Sequence, residues 1–292
     1  MKIILSRKGF DSSYGNVASP IFPSGKLYTL PIPDHGRDST ANFHSKRYAE
    51  IKFGSWSLGT LVNDLTRGKI TGESKAHLDP DLNFDSIARE ANWKPVFGQS
   101  GAAERHLQNY DVKEGDVFVF YGWFRQIDLH AGIYRYVRGA PDLHVIFGWL
   151  QIERRISVDK RSEIPSWALY HQHCNPKRTE MKHDELDSIY IATDEMKLPN
   201  ITTNKPGAGV FQRFNLALCL TAAGRSRSWW QLPGWFYPEG KKAALSYHRD
   251  LKRWTPEEGH VLLQSVGRGQ EFVLDCEEYP EAEHWLSTLL CL

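Results

Sequence analysis

The sequence predicts an α+β fold in which a mixed or antiparallel β core is surrounded by helices, and three observations predict it. Two apolar, aromatic runs, Val117–Trp123 and Val145–Ile152, have the length and composition of buried strands. Helical stretches are expected at Ser57–Thr66, Ala102–Asn109 and Pro280–Leu290, the last of them amphipathic. Between residues 19 and 36, Pro20, Pro23, Gly25, Pro31, Pro33 and Gly36 leave room only for short strands and turns.

Taken in order, Lys2–Ser6 reads as a short strand that ends in the polar turn Arg7–Ser13. Asp79-Pro80-Asp81 carries a helix-start signal: Asp as N-cap, Pro at the first helical position and Asp in the first turn. It predicts a helix through Arg89. Phe97–Gly101 reads as a turn-like loop that leads into the helix over Ala102–Asn109. Val112–Asp116 is a turn feeding the first aromatic strand. That strand and its partner each hold a glycine, Gly122 and Gly148, where a bulge or a close backbone approach is expected. Beyond Arg161 comes a loop with Trp167 and His171-Gln172-His173. Ser188–Thr193 is a further strand, and Lys205–Val210 a loop without the spacing of a phosphate-binding P-loop. Trp229, Trp230, Trp235 and Phe236 stand among prolines and glycines and are expected in irregular structure. Glu271–Leu274 reads as a strand. No linker or low-complexity tract divides the chain, so residues 1–292 are expected to form one compact unit.

Composition narrows the function classes. Net charge is +1, from 36 basic and 35 acidic side chains, which argues against a protein held to nucleic acid by bulk charge and leaves room for a local basic groove. Ten Trp and 12% aromatic residues supply flat surfaces for packing or for stacking on a base. The four cysteines are scattered, with neither zinc-ribbon nor disulfide spacing. The apolar run after Met1 is far too short for a signal segment, and no stretch of about 18 apolar residues exists. A cytoplasmic location and no membrane partner are expected. The G-x-S-x-G, H-E-x-x-H and dinucleotide-binding patterns are all missing, which disfavours the enzyme classes they mark.

Three constellations could carry chemistry. In His77-x-Asp79-x-Asp81, an extended backbone would put all three side chains on one face, and His171-x-His173 repeats that spacing. Together they offer carboxylates and imidazoles suited to a divalent ion such as zinc, manganese or ferrous iron. The plainer reading makes Asp79 a cap and Asp81 a carboxylate favoured by the helix dipole. In Phe97–His106, small residues would let backbone N–H groups approach an anion, with Gln99 and Ser100 adding hydrogen bonds; the plainer reading is a tight turn with Ser100 as the helix cap. Arg7, Lys8 and Asp11, with Asp34 after Pro33, could hold a phosphate or simply be a solvated loop.

The strings Ile3–Asp11, Leu30–Asp34, Ala76–Leu82, Phe97–Ala103, Gly115–Phe124 and Phe147–Trp149 resemble the third of the nucleotide modification associated domain families. The likeness runs over nearly the whole chain, and His77–Leu82 and Phe97–Ala103 are its most specific parts. It implies an α+β fold of prokaryotes and phages, with a link to altered nucleotides. Where the family pattern has His-Pro-His, this chain has His171-Gln172-His173, which bears on that pair's role. Residues 112–152 are also similar to the small β-barrels of the PUA, ASCH and EVE group, which implies a PUA-like subregion at about 112–160.

The leading expectation is an enzyme acting on a nucleobase or nucleotide in DNA or RNA. Asp79 or Asp81 would be general base or cation stabiliser, and His77 or His106 proton donor. Gln99 and Ser100 would read the base, with Trp123 and Trp149 closing the pocket. The alternative is a non-catalytic reader of a modified base, or a structural partner of other modification enzymes.

Overall fold

The structure, a computed structural model, describes residues 1–34, 46–54, 56–175, 186–267 and 269–292; Gly36 lies outside them. The strands are β1 (Lys2–Arg7), β2 (Ser19–Ile21), β3 (Ile32–Pro33), β4 (Lys52–Phe53), β5 (Trp56–Ser57), β6 (Ala76–His77), β7 (Val96–Ser100) and β8 (Val117–His130). They continue with β9 (Ile133–Tyr136), β10 (Leu143–Ser157), β11 (Asp187–Ala192), β12 (Ala208–Val210), β13 (Trp229–Pro233), β14 (Trp254–Glu257), β15 (His260–Gln264) and β16 (Glu271–Asp275). Three helices, α1 (Leu58–Thr66), α2 (Gly101–Asn109) and α3 (Glu281–Leu290), complete the described set.

The main sheet runs β16-β1-β8-β10-β11-β7, with β2 and β9 on β8 and β12 on β10. It is mixed, because β1 and β2 pair parallel to β8 while β10, β11, β7 and β16 join antiparallel. Ile3–Ser6, Val117–Gly122 and His144–Ile152 are buried residue after residue, so these strands read as continuous apolar runs instead of alternating ones. Both strand glycines meet backbone at close range. A Cβ on Gly122 would lie 2.7 Å from the Lys8 carbonyl oxygen, and one on Gly148 would lie 2.8 Å from that of Gly209, next to the register shift between Ile146 and Gly148.

The sheet curls until its end strands meet through side chains. Gln99 Nε2 on β7 donates to Glu271 Oε1 on β16 at 2.5 Å, and Lys8 Nζ reaches the same oxygen at 3.1 Å. The backbones of those two strands do not pair and no closed barrel forms, so the likeness to small PUA-type barrels does not extend to closure. On the other face of β8, Tyr121 packs edge-on to Trp230 at 5.0 Å, which docks the β13-β15-β14 sheet. Trp229–Pro233 is therefore a strand, where the surrounding Pro and Gly predict irregular structure: pairing with β15 through Trp230–Leu263 outweighs the local breakers.

α1 follows the expected logic. Ser57 Oγ accepts from Gly59 N at 3.1 Å, and Leu58, Leu61, Val62 and Leu65 form the buried stripe. The region after Asp79 departs from expectation, because no helix runs to Arg89. Asp81 instead exchanges both backbone hydrogen bonds with Val96, at 2.9 and 3.0 Å, and only a single 3-10 turn, Phe84–Ser86, follows. Phe97–Gly101 likewise is no loop, since Phe97 to Ser100 are strand residues paired with β11. Both corrections have one cause: long-range backbone pairing competes with the local cap and turn signals and wins.

Candidate functional site

Four short elements build the site around one carboxylate. β3 pairs with β6 through Ile32 and His77, which fixes His77 and the turn that follows it. In that turn the Asp79–Pro80 peptide is cis, and Asp79 N donates to the His77 carbonyl at 3.0 Å. The Asp79 side chain points inward, where its Oδ1 accepts from Gly98 N on β7 at 2.8 Å. A 3-10 turn, Gln172–Cys174, brings His171 Nε2 to 3.5 Å from Asp79 Oδ1 and His173 Nε2 to 3.6 Å from Oδ2. His77 stacks into the group, its ring centroid 5.5 Å from that of His173 and 6.3 Å from that of His171.

The surroundings hold these groups in place. His173 Nδ1 meets Asp187 Oδ1, at the start of β11, at 2.5 Å. Gln172, between the two histidines, donates to Asp34 Oδ2 at 2.9 Å and so ties the turn to the end of β3. Gly98 supplies the space: a Cβ there would lie 2.3 Å from His173 Cδ2 and 2.9 Å from His171 Cε1. Burial by itself would raise the Asp79 pKa, but the imidazoles of His171 and His173, through hydrogen bonding and charge, hold the carboxyl well below the usual carboxylate range. Near neutral pH it is an anion, available to take a proton or bind a cation. One donor atom each from His77, Asp79 and His173 lies within 4.8 Å of the others, so these three could hold a metal.

Asp79 also forms part of the wall of a cleft. Its apolar lining comes from Tyr28, Phe53, Leu82, Phe147 and Phe211, and its polar edge from Thr29, Asn83, Ser86 and Gln212. Tyr28 and Phe53 meet edge to face at 4.3 Å, forming an aromatic corner near the surface.

Asp81 lines the same cleft, but its charge is committed. Arg89 grips it with Nη2–Oδ1 at 2.6 Å and Nη1–Oδ2 at 2.7 Å, and the Tyr170 hydroxyl donates to Oδ2. The guanidinium also donates to the carbonyl of Asn83 and to Ser86 Oγ, and lies 3.9 Å over the Trp93 ring. This clamp shapes the turn between Asp79 and Arg89. With both side chains almost wholly buried, Arg89→Ala is expected to cost about 3–5 kcal/mol in urea unfolding, because it strands the Asp81 charge. The exposed Arg47–Glu73 pair gives the contrast, with Arg47→Ala costing no more than about 1 kcal/mol.

The other sequence-nominated residues lie elsewhere. His106, on α2, contacts Ser246 Oγ at 2.9 Å and stacks on Tyr247, away from Asp79; burial, then Arg249, lowers its pKa. Gln99 is buried on Glu271, and Ser100 caps α2 in backbone position without a side-chain bond to the helix. Lys8 joins Glu271, Arg7 Nη2 reaches the Gly267 carbonyl at 3.3 Å, and Asp11 Oδ1 accepts from Ser13 N and Tyr14 N. Trp123 Nε1 donates to Asp142 and Trp149 Nε1 to the Pro206 carbonyl, while the Trp149 ring packs on Phe211 behind the cleft wall. Thus His77, Asp79, His171 and His173 come together, Asp34 supports them, and Asp81 stands next to them in its own ion pair. Sequence reasoning did not reach Asp187, Tyr28, Phe53 or Phe211, for which the chain offers no motif. For Gly98 there was a signal, a small residue expected to let a backbone N–H approach an anion, and here its N–H meets the carboxylate of Asp79.

The model of the family described as nucleotide modification associated domain 3 matches residues 2–275. No curated protein and no solved structure matches the chain. Among the described residues no helix is long and apolar enough to cross a membrane.

Proposed function

We propose that this chain, which belongs to the nucleotide modification associated domain 3 family, modifies the base of a nucleotide in DNA or RNA at the cleft beside Asp79. The observation that carries the reading is the double position of Asp79: the residue lines the cleft, and its buried carboxylate sits in the imidazole cluster just behind. A base in a strand must leave its stack, at a cost of a few kcal/mol, before its ring atoms can be reached. The aromatic corner of Tyr28 and Phe53 offers stacking to replace what is lost, and Thr29, Asn83 and Gln212 offer hydrogen bonds to the base edge. Facing that edge, the Asp79 carboxylate can accept a proton or stabilise positive charge developing on the ring. The imidazoles behind it can pass the proton on near neutral pH.

Stacking makes the first test an equilibrium one. Short single-stranded oligonucleotides and the free nucleosides are titrated against the protein by calorimetry. Phe53→Ala, at a half-buried position, is expected to weaken binding of the preferred ligand by about 1–3 kcal/mol, the usual worth of one aromatic platform. Equal affinity in Phe53→Ala, Tyr28→Ala and the parent chain would remove the cleft from the account. Oligonucleotides binding far better than nucleosides would identify the polymer as substrate.

A further inference from the structure

Two imidazole nitrogens stand around the Asp79 carboxylate at separations longer than the usual hydrogen bond. His173 Nδ1 lies 2.5 Å from a carboxylate oxygen of Asp187, which leaves Nε2 as the nitrogen turned towards the cluster. That Nε2 stands 3.6 Å from Asp79 Oδ2. His171 is 1% exposed, and neither of its ring nitrogens completes a hydrogen bond among the described residues; its Nε2 stands 3.5 Å from Asp79 Oδ1. An N–H···O bond would close these gaps to about 2.7–3.2 Å. A tetrahedral ion with bonds of about 2.0–2.2 Å would instead hold its donor atoms about 3.3–3.6 Å apart. Both separations are of that size, one to each carboxylate oxygen, and donor atoms of His77, Asp79 and His173 lie within 4.8 Å of one another. Charge agrees as well, because Asp79 is buried and meets no lysine or arginine among the described residues.

We propose that His77, Asp79 and His173 bind a divalent transition-metal ion, with His171 as the fourth donor. Three imidazoles and one carboxylate suit zinc, ferrous iron or manganese, and disfavour calcium and magnesium, which prefer all-oxygen shells. Cys174, next along the chain, is buried and lies outside this donor group. The outer contacts are those a metal centre uses to orient its ligands. Asp187 fixes the ring of His173, Gly98 N–H holds Asp79 Oδ1, and Asp34 holds the turn through Gln172. The ion would join the cleft at Asp79, so it would act as a Lewis acid or hold an activated water beside the bound base. This inference rests on reading the cluster as the working centre, and its test uses no nucleotide.

The full chain, stripped with a chelator and checked for fold by circular dichroism, is titrated with Zn²⁺ and Mn²⁺ by calorimetry, and with Co²⁺ for its visible ligand-field bands. One equivalent is expected to bind, with tetrahedral or five-coordinate Co²⁺ absorption. His77→Ala and His173→Ala should each weaken binding more than 100-fold, and exposed His284→Ala should change nothing. Asp187→Asn keeps the size and an acceptor, so it is the variant that isolates orientation; it should weaken binding about 10–100-fold. A folded parent chain that takes up none of the three ions would overturn the proposal. So would equal affinity in Asp187→Asn and His173→Ala. Metal binding without nucleobase activity would instead count against the cleft reading alone.

Discussion

Gly98→Ala is expected to abolish function while leaving the main sheet assembled. Gly98 sits inside β7, paired with Ile189 of β11, in strand geometry that alanine also adopts. The conflict lies with the side chains it faces. The new methyl would stand 2.3 Å from His173 Cδ2 and 2.5 Å from Cγ, with His171 Cε1 at 2.9 Å, so both rings must move. Forcing a methyl into a packed interior costs about 1–3 kcal/mol, readable as a lower urea midpoint with an unchanged slope. The larger effect is on geometry, because a shift of about 1 Å at a working group can cost about 100-fold in rate. Here two of the four clustered groups must shift. Adding His173→Ala to Gly98→Ala removes the closest clash and should restore part of the lost stability without restoring activity. Full activity in Gly98→Ala would mean that the placement of the imidazoles is irrelevant.

How far the sequence could be read depended on the range of the interactions involved. The aromatic runs at Val117–Trp123 and Val145–Ile152 announce β8 and β10 because burial on both faces leaves its mark within one strand. α1 was legible for the same local reason, with Ser57, counted in the expected helix, serving as its cap. The Asp79-Pro80-Asp81 signal failed as a helix start because what decides its conformation lies far off: Gly98 N takes the carboxylate of Asp79, Val96 pairs with the backbone of Asp81, and Arg89 folds back onto the Asp81 side chain. The cluster itself shows the same division. Spacing nominated His77, Asp79, His171 and His173 as possible ligands, and the fold brings these four together, although the extended backbone assumed for them is a turn in both segments. Asp81 satisfied the same spacing and went to Arg89, since only the fold brings that guanidinium within reach. Asp187 and the aromatic cleft residues come from distant strands and loops, and no local pattern marks any of them.

Asp79→Asn carries the second large effect, and it is the sharpest probe of the account. The amide keeps the shape of the carboxylate and the oxygen that accepts from Gly98 N, so that hydrogen bond survives. What disappears is the negative charge, and with it the group that can accept a proton or bind a cation at the cleft wall. Stability should change little, whereas a carboxylate acting as base or metal ligand should lose activity by about 100-fold or more. Had Asp79 been only a helix cap, Asn would serve as well as Asp in stability and function alike.

The measurement that tests this most directly is made in cells, which supply the cosubstrates. The parent chain and Asp79→Asn are expressed to equal soluble levels in the same host. DNA and RNA are then digested to nucleosides and their masses compared. The account predicts a nucleoside gained or lost with the parent chain and restored to the host pattern with Asp79→Asn, its mass naming the group transferred or removed. The same altered nucleoside appearing with both proteins, or in neither, would contradict it.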